Sequence, residues 1–241
     1  MINFFRKIRY DLMDNNKTGK YFKYAIGEIV LVVIGILIAL SINNWNEERK
    51  NKIVEREILT NLKIAFERDL KNVISRNIQL CENRIETTNK LIEASKNKQE
   101  ITDKIKGIQN LTLQPTFRTV SFPLKILESR GLDIIRDNEL KYSIVNIHTE
   151  DYSHIKTVFN NEMFNQRDIY RPQLNQYFKK IMDGKEMEIQ IIDSSSMLKN
   201  QSFMNAIITM NQNNIYLKKL LEELWAKVTH VIEQIEIELE S

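Results

Sequence analysis

Ala25–Ile42, AIGEIVLVVIGILIALSI, decides how the rest of the chain is read. From Ile29 to Leu40 no side chain is polar. The whole run matches the roughly 17 to 25 residues that a membrane-spanning helix needs. Residues 1–24, on its N-terminal side, read as a short basic foot. Residues 43–241, on its C-terminal side, read as a long helical body.

Charge gives the span a direction. Arg6, Lys7, Arg9, Lys17, Lys20 and Lys23 stand before it against Asp11 and Asp14, a local balance of +4 within a net +3 for the chain, so the remainder is −1. Cations flanking a first span stay cytoplasmic. The spread-out basic face of a nucleic-acid protein is missing, and no nucleic-acid partner is expected. Trp45 suits the opposite headgroup layer. The expected placement is the bacterial inner membrane, with the N-terminus cytoplasmic, the body periplasmic and the lipid bilayer as the first partner. A cleaved signal peptide is the competing reading. It would have an unusually long n-region, and no small-x-small site comes after Leu40.

In the foot, Phe4, Phe5, Ile8 and Leu12 gather opposite Arg6, Lys7 and Arg9, the pattern of a helix lying in the inner headgroup layer. Asn15, Asn16 and Gly19 then offer a turn into the span. Arg6, Lys7, Arg9, Lys20, Lys23 and Trp45 are the expected membrane-interface anchors. Within the span, Glu28, Gly35 and Ala39 are spaced by seven and four and share one helix face. Gly35-x-x-x-Ala39 is a small-x-x-x-small step that lets a second helix approach. A carboxylate at the depth of Glu28 costs a few kcal/mol unless it snorkels, protonates or finds a partner.

Six Gly and three Pro in 241 residues indicate long helices and little loop. The expected fold is all-α, with the membrane helix continuing into a long helix, residues 45–97, that packs with C-terminal helices in an exported bundle. Its apolar stripe is Leu59, Leu62, Phe66, Leu70, Ile74, Ile78, Cys81, Ile85, Thr88 and Ile92. That stripe has a period of roughly 3.7, nearer a straight helix than a strict heptad. Glu55, Arg56, Glu57, Glu67, Arg68 and Asp69 read as a solvated face. Residues 96–116 read as a polar connection with about one helical turn.

A helical middle region, 119–182, comes next. Ser121-Phe122-Pro123 opens a short helix closed by Gly131. Leu132, Ile134 and Ile135 form a buried elbow, and Asp137 or Asn138 caps a longer helix. Pro172 is expected to stop that helix. A further turn is expected to carry Leu174, Tyr177, Phe178 and Ile181, and Met187–Asp193 could be a short strand or an extended loop. The C-terminal helices, 197–239, are expected as one to about Asn211 and a second from Asn213. The second carries the stripe Leu217, Leu221, Leu224, Val228, Val231, Ile235 and Leu239 and lies antiparallel to the first long helix. Tyr142, Tyr152, Tyr170 and Tyr177 are expected in the core. Cys81 is the only cysteine, excluding an intrachain disulfide.

FFRKIR, then KYFKYAIGEIVLVVIGILIALSINNWNEERK, resembles the N-terminus of an uncharacterised single-pass membrane-protein family of Bacteroidota. The block FPLKILESRGLDIIRDNELKYSIVNIH, residues 122–148, resembles the same family's middle segment. The resemblance implies location and architecture, not chemistry.

Motifs for chemistry are sparse. His148, Asp151 and His154 recur every three residues on one expected helix, but this spacing drifts around the helix and is a poor metal set. Ser194–Ser196 reads as a capping loop. There is no nucleophile elbow, no phosphate-cradling glycine loop and no H-E-x-x-H. Accordingly no catalytic residue, no metal and no cofactor are assigned. The reading is a membrane-anchored non-enzymatic protein that associates with itself or with a membrane-complex or envelope partner. The alternative is a subunit of an ion-coupled machine using Glu28. An envelope metal-dependent hydrolase using His148 and His154 is the remaining possibility.

Overall fold

A computed structural model describes residues 18–99, 101, 105–183 and 186–240. The expected headgroup helix, residues 2–13, with Arg6, Lys7 and Arg9, lies outside the described residues. The fold is all-α with one small hairpin. The chain divides into two compact units, residues 1–55 and 56–241.

Helix α1, Thr18–Asp69, begins seven residues before the apolar run, so Gly19 is helical and not part of a turn. In the first unit the large apolar residues from Ile29 to Ile42 are each between 46% and 68% exposed. An 18-residue stretch of helix is about 27 Å long, close to the thickness of a bilayer's hydrocarbon core. This helix is long and apolar enough to cross a membrane.

The second unit is built on the remainder of α1 and on α2, Ser75–Asn97, joined by a π-helical turn at Leu70–Ile74. Lys98, at φ 51°, ends α2. The partner is α8, Gln201–Glu240, which runs antiparallel: Lys63 Nζ reaches Glu236 at 2.7 Å, Lys218 Nζ reaches Glu82 at 2.9 Å, and Asn211 Nδ2 donates to Thr88 at 2.8 Å. Between them lie Leu59, Leu62, Phe66, Ile74 and Cys81 on one side and Leu217, Leu221, Leu224, Val228, Val231 and Ile235 on the other, all buried. Burying one such side chain stabilises by about 1.5–3 kcal/mol, whereas a surface ion pair contributes about 0–1 kcal/mol. The apolar rows therefore hold the pair together, and the charges set its register.

Helix α3, Phe122–Arg130, starts with Pro123 in its first turn and stops at Gly131, whose φ of 97° excludes most other residues. In the elbow only Ile135 is fully buried; Leu132 is exposed because the 3-10 turn Leu132–Ile134 points it outward. Asp137 caps α4, Asn138–Asn146, by accepting from the Leu140 N–H at 2.9 Å. The chain then stays helical to Tyr177 through a second π turn at Ile147–Asp151, α5 at Tyr152–Asn165, a third π turn at Gln166–Tyr170 and α6 at Arg171–Tyr177. Pro172 does not end the helix as expected. It sits in the first turn after the Gln166–Tyr170 π segment, where the hydrogen-bond ladder is already interrupted and a missing N–H costs little.

Phe178 and Ile181 are not helical either. They belong to β1, Phe178–Asp183, which pairs antiparallel with β2, Glu186–Ile191, with Phe178 opposite Ile191. Alternating burial explains this: Phe178, Ile189 and Ile191 face the core formed with Leu174, Met197, Phe203 and Ile207. Helix α7, Ser194–Lys199, is capped by Asp193, and the break before α8 falls at Asn200, which caps Phe203. The expected break at Asn211–Asn213 is absent. Asn211 is spent on an interhelical bond and Asn214 on the Met210 carbonyl, so neither competes with the helix. Tyr152 and Tyr170 are buried as expected and Tyr177 half-buried, but Tyr142 is 72% exposed.

Candidate functional site

The second unit contains a non-helical segment that a helical protein must explain, Leu113–Ser121, lying against the long helices. Backbone groups outside helices need partners when buried. Four buried side chains supply partners to this segment and to the 3-10 turn Ile108–Thr112 that leads into it. Asn77 Nδ2 donates to the Thr116 carbonyl at 2.9 Å. Arg84, fully buried, donates through Nε to Asn110 O at 3.0 Å and through Nη2 to Leu113 O. Gln166 Nε2 donates to Leu111 O at 2.8 Å. Asp69 accepts the Val120 N–H at 3.0 Å.

These groups also hold one another. Arg84 Nη1 lies 3.4 Å from Glu162 Oε1, and Nη2 3.3 Å from Gln166 Oε1. Tyr170 and Asn213 donate to Glu162 Oε2 at 3.4 and 3.3 Å. Burial raises the Glu162 carboxyl above its ordinary value, opposed by the Arg84 charge, and lowers Arg84, opposed by Glu162. A guanidinium has five donors in a fixed fork, which suits it to a carboxylate and two carbonyls at once. Tyr152 donates to Asp69 Oδ2 at 3.1 Å. Burial pushes Asp69 up to about 6, against the Val120 N–H and the Tyr152 hydroxyl.

This corrects the sequence reading in two places. Asp69 is 1% exposed and Glu55 2%, so neither belongs to a solvated face. From residue 77 onward the expected Cys81 and Thr88 are buried, but Asn77, Arg84 and Leu91 are buried as well, each one position before the expected Ile78, Ile85 and Ile92, which are half-buried. The reason is the overlying segment, whose carbonyls need donors that isoleucine cannot provide. Each π turn abuts this machinery: Asp69 precedes the first, Tyr152 comes directly after the second, and Gln166 and Tyr170 lie in the third.

The held segment forms one wall of a cleft of about 560 Å³, with α3, α5 and the Ile147–Asp151 π turn completing it. A run of rings lies along its floor and continues into the core to Phe66. Phe66 and His148 are 5.2 Å apart, His148 and Tyr152 5.1 Å, Tyr152 and Phe117 5.6 Å, and Phe117 and Phe159 5.2 Å. His148 Nδ1 is 3.2 Å from Ile144 O, while Nε2 is buried and makes no hydrogen bond among the described residues. Burial lowers the His148 pKa.

The residues singled out in sequence fall elsewhere. Glu28, Gly35 and Ala39 lie on one face of α1 in the first unit, and a Cβ built on Gly35 meets nothing within 4 Å. Lys20 and Lys23 lie in the same helix, and Trp45 is 65% exposed. His148, Asp151 and His154 do not converge: His148 stacks in the cleft floor, Asp151 pairs with Lys227, and His154 is exposed. Among the described residues no group of three metal-ligating side chains comes together. Cys81 is buried, its thiol pushed up to about 12 by burial.

Neither a curated protein nor a solved structure matches this chain. The model of a family of unknown function (DUF6090) matches residues 28–214, a stretch that starts at Glu28 and takes in Asp69, Arg84, Glu162, Asn211 and the whole cleft. The chain belongs to that family of unknown function.

Proposed function

We propose that this is a non-enzymatic, single-pass protein of the bacterial inner membrane, with its foot cytoplasmic and its helical unit exported. There it binds another copy or another component of the membrane or envelope. The observation behind this reading is the run Ile29–Ile42, an apolar helix with every large side chain exposed, leading to a folded unit in which the buried Arg84 and Asp69 are spent on its own backbone and the buried Glu162 on Arg84, Tyr170 and Asn213. An apolar surface of that size belongs in lipid or against another protein. A carboxylate and guanidinium committed to structural hydrogen bonds are not free to do acid–base work. The basic flank sets the direction of insertion, and the Gly35/Ala39 face offers a place for a second helix.

The test is photo-crosslinking from unnatural residues placed along the span and on the folded unit, with subsequent purification in mild detergent. The expected result is a discrete crosslinked species that depends on the Gly35 face and weakens on Gly35→Leu. A chain recovered only as a monomer, crosslinked to nothing but lipid, would overturn the binding role.

A further inference from the structure

The cleft beside the held segment has a lining unlike the rest of the second unit. Its floor is the ring run through Phe117, His148, Tyr152 and Phe159, and its rim carries Arg118 and Lys156. Both cations are exposed, and neither has an ion-pair partner among the described residues. Among the described residues no acidic side chain lines the wall. Asp69, the buried acid that holds the Tyr152 hydroxyl, is committed to that group and to the Val120 N–H. Two cations above an aromatic floor, with no carboxylate among the described lining residues and Glu128 acting on His148 from outside the lining, complement one kind of ligand: a flat or apolar body carrying an anionic group. The volume of about 560 Å³ falls within the roughly 300–1,000 Å³ of small-molecule sites.

We propose that this cleft is a binding site for small amphipathic anions, aryl or long-chain carboxylates and their like. The apolar body lies on the Phe117–Phe159 face, and the anionic group sits between Arg118 and Lys156. Cations on the rim draw the anion in and orient it, while the rings supply the apolar contact. Arg84, Asn77 and Asp69 act at one remove, by fixing the segment that bears Phe117 and Arg118. This goes beyond the membrane-anchored reading and does not depend on which macromolecular partner the chain joins.

The test is photolabelling of the full chain in lipid nanodiscs with 4-benzoylbenzoate, with the uncharged 4-benzoylbenzamide in parallel and the modified peptides mapped by mass spectrometry. The proposal expects label on segments 115–124 or 152–163 and several-fold less there from the amide. It also expects about a tenfold loss for the double variant Arg118→Glu/Lys156→Glu, the effect of about 1.4 kcal/mol. Circular dichroism of that variant should be unchanged, since both side chains are exposed. Three results would overturn the proposal: label confined to the span, equal labelling by acid and amide, or labelling unaffected by charge reversal in the folded variant.

Discussion

Arg84 and Glu162, 78 positions apart in sequence, meet at 3.4 Å inside the helical unit, and both are almost wholly shielded from solvent. Such a pair does not stabilise by its mutual attraction alone, because taking two charges out of water costs several kcal/mol. What compensates here is the set of further bonds, from Arg84 to the Asn110 and Leu113 carbonyls and from Tyr170 and Asn213 to Glu162. The pair is the fastening of the segment that walls the cleft.

Removing one member should therefore cost more than the pair contributes. Arg84→Met is expected to destabilise by about 3–5 kcal/mol, since it leaves the buried Glu162 carboxylate without its cation and the Asn110 and Leu113 carbonyls without that donor. Adding Glu162→Gln should return part of that loss. A double-mutant cycle by denaturant unfolding should show a coupling of about 1–3 kcal/mol. Additive losses would mean the two groups do not act together.

Asp69 makes a prediction about pH. Its carboxyl is held up to about 6 by burial, against an ordinary 3.8. Between those values the folded chain keeps a proton that the unfolded chain has lost. Stability is therefore highest below about pH 4 in this respect and falls as pH rises to about 6, by roughly 3 kcal/mol. Asp69→Asn, which retains an acceptor for the Val120 N–H, should flatten that part of the profile. Parallel pH profiles for the two proteins would refute the assignment.

Two glycines should behave differently. Gly131 has φ 97° and ψ 134° with open space around it, so Gly131→Ala meets backbone strain alone, about 1–3 kcal/mol. Gly107 has a φ of 87°, and a Cβ there would stand 3.0 Å from Thr87 Oγ1 and 3.4 Å from Asn110 Nδ2. Gly107→Ala should cost about 2 kcal/mol or more, because it also disturbs the residue whose carbonyl receives Arg84. Thermal unfolding of the two variants gives the order directly.

The single thiol reports on the interior. Cys81 is buried, and its thiol is pushed up to about 12, so it should resist a neutral-pH alkylating reagent in the folded protein and react fully in denaturant. Comparable rates in both states would place it at the surface.

How far the sequence reaches can be judged from these same residues. The rows Leu59–Leu62–Phe66 and Leu217–Leu221–Leu224 were legible because apolar side chains at helical spacing have one economical use. The Asp137 cap and the Gly131 stop were legible because their chemistry is local. Asp69, Arg84 and Gln166 were not, since a charged or amide side chain looks the same in sequence whether it meets water or a distant carbonyl. The break expected at Asn211–Asn213 and the stop expected at Pro172 failed for the same cause. Partners across the fold, or a π turn, absorbed groups that in isolation would end a helix. The hairpin was half visible: β2 alternates, but Phe178 and Ile181 also fit a helical spacing.

The central claim is that the chain crosses a membrane once and displays its folded unit on the far side. Its most direct test is reaction of an impermeant maleimide with intact spheroplasts, using single cysteines introduced at Lys7 and at Lys199 in a Cys81→Ser background. The predicted result is modification of Lys199→Cys in intact cells, and of Lys7→Cys only after lysis. Modification of Lys7→Cys in intact cells, or release of the protein from membranes by carbonate, would contradict it.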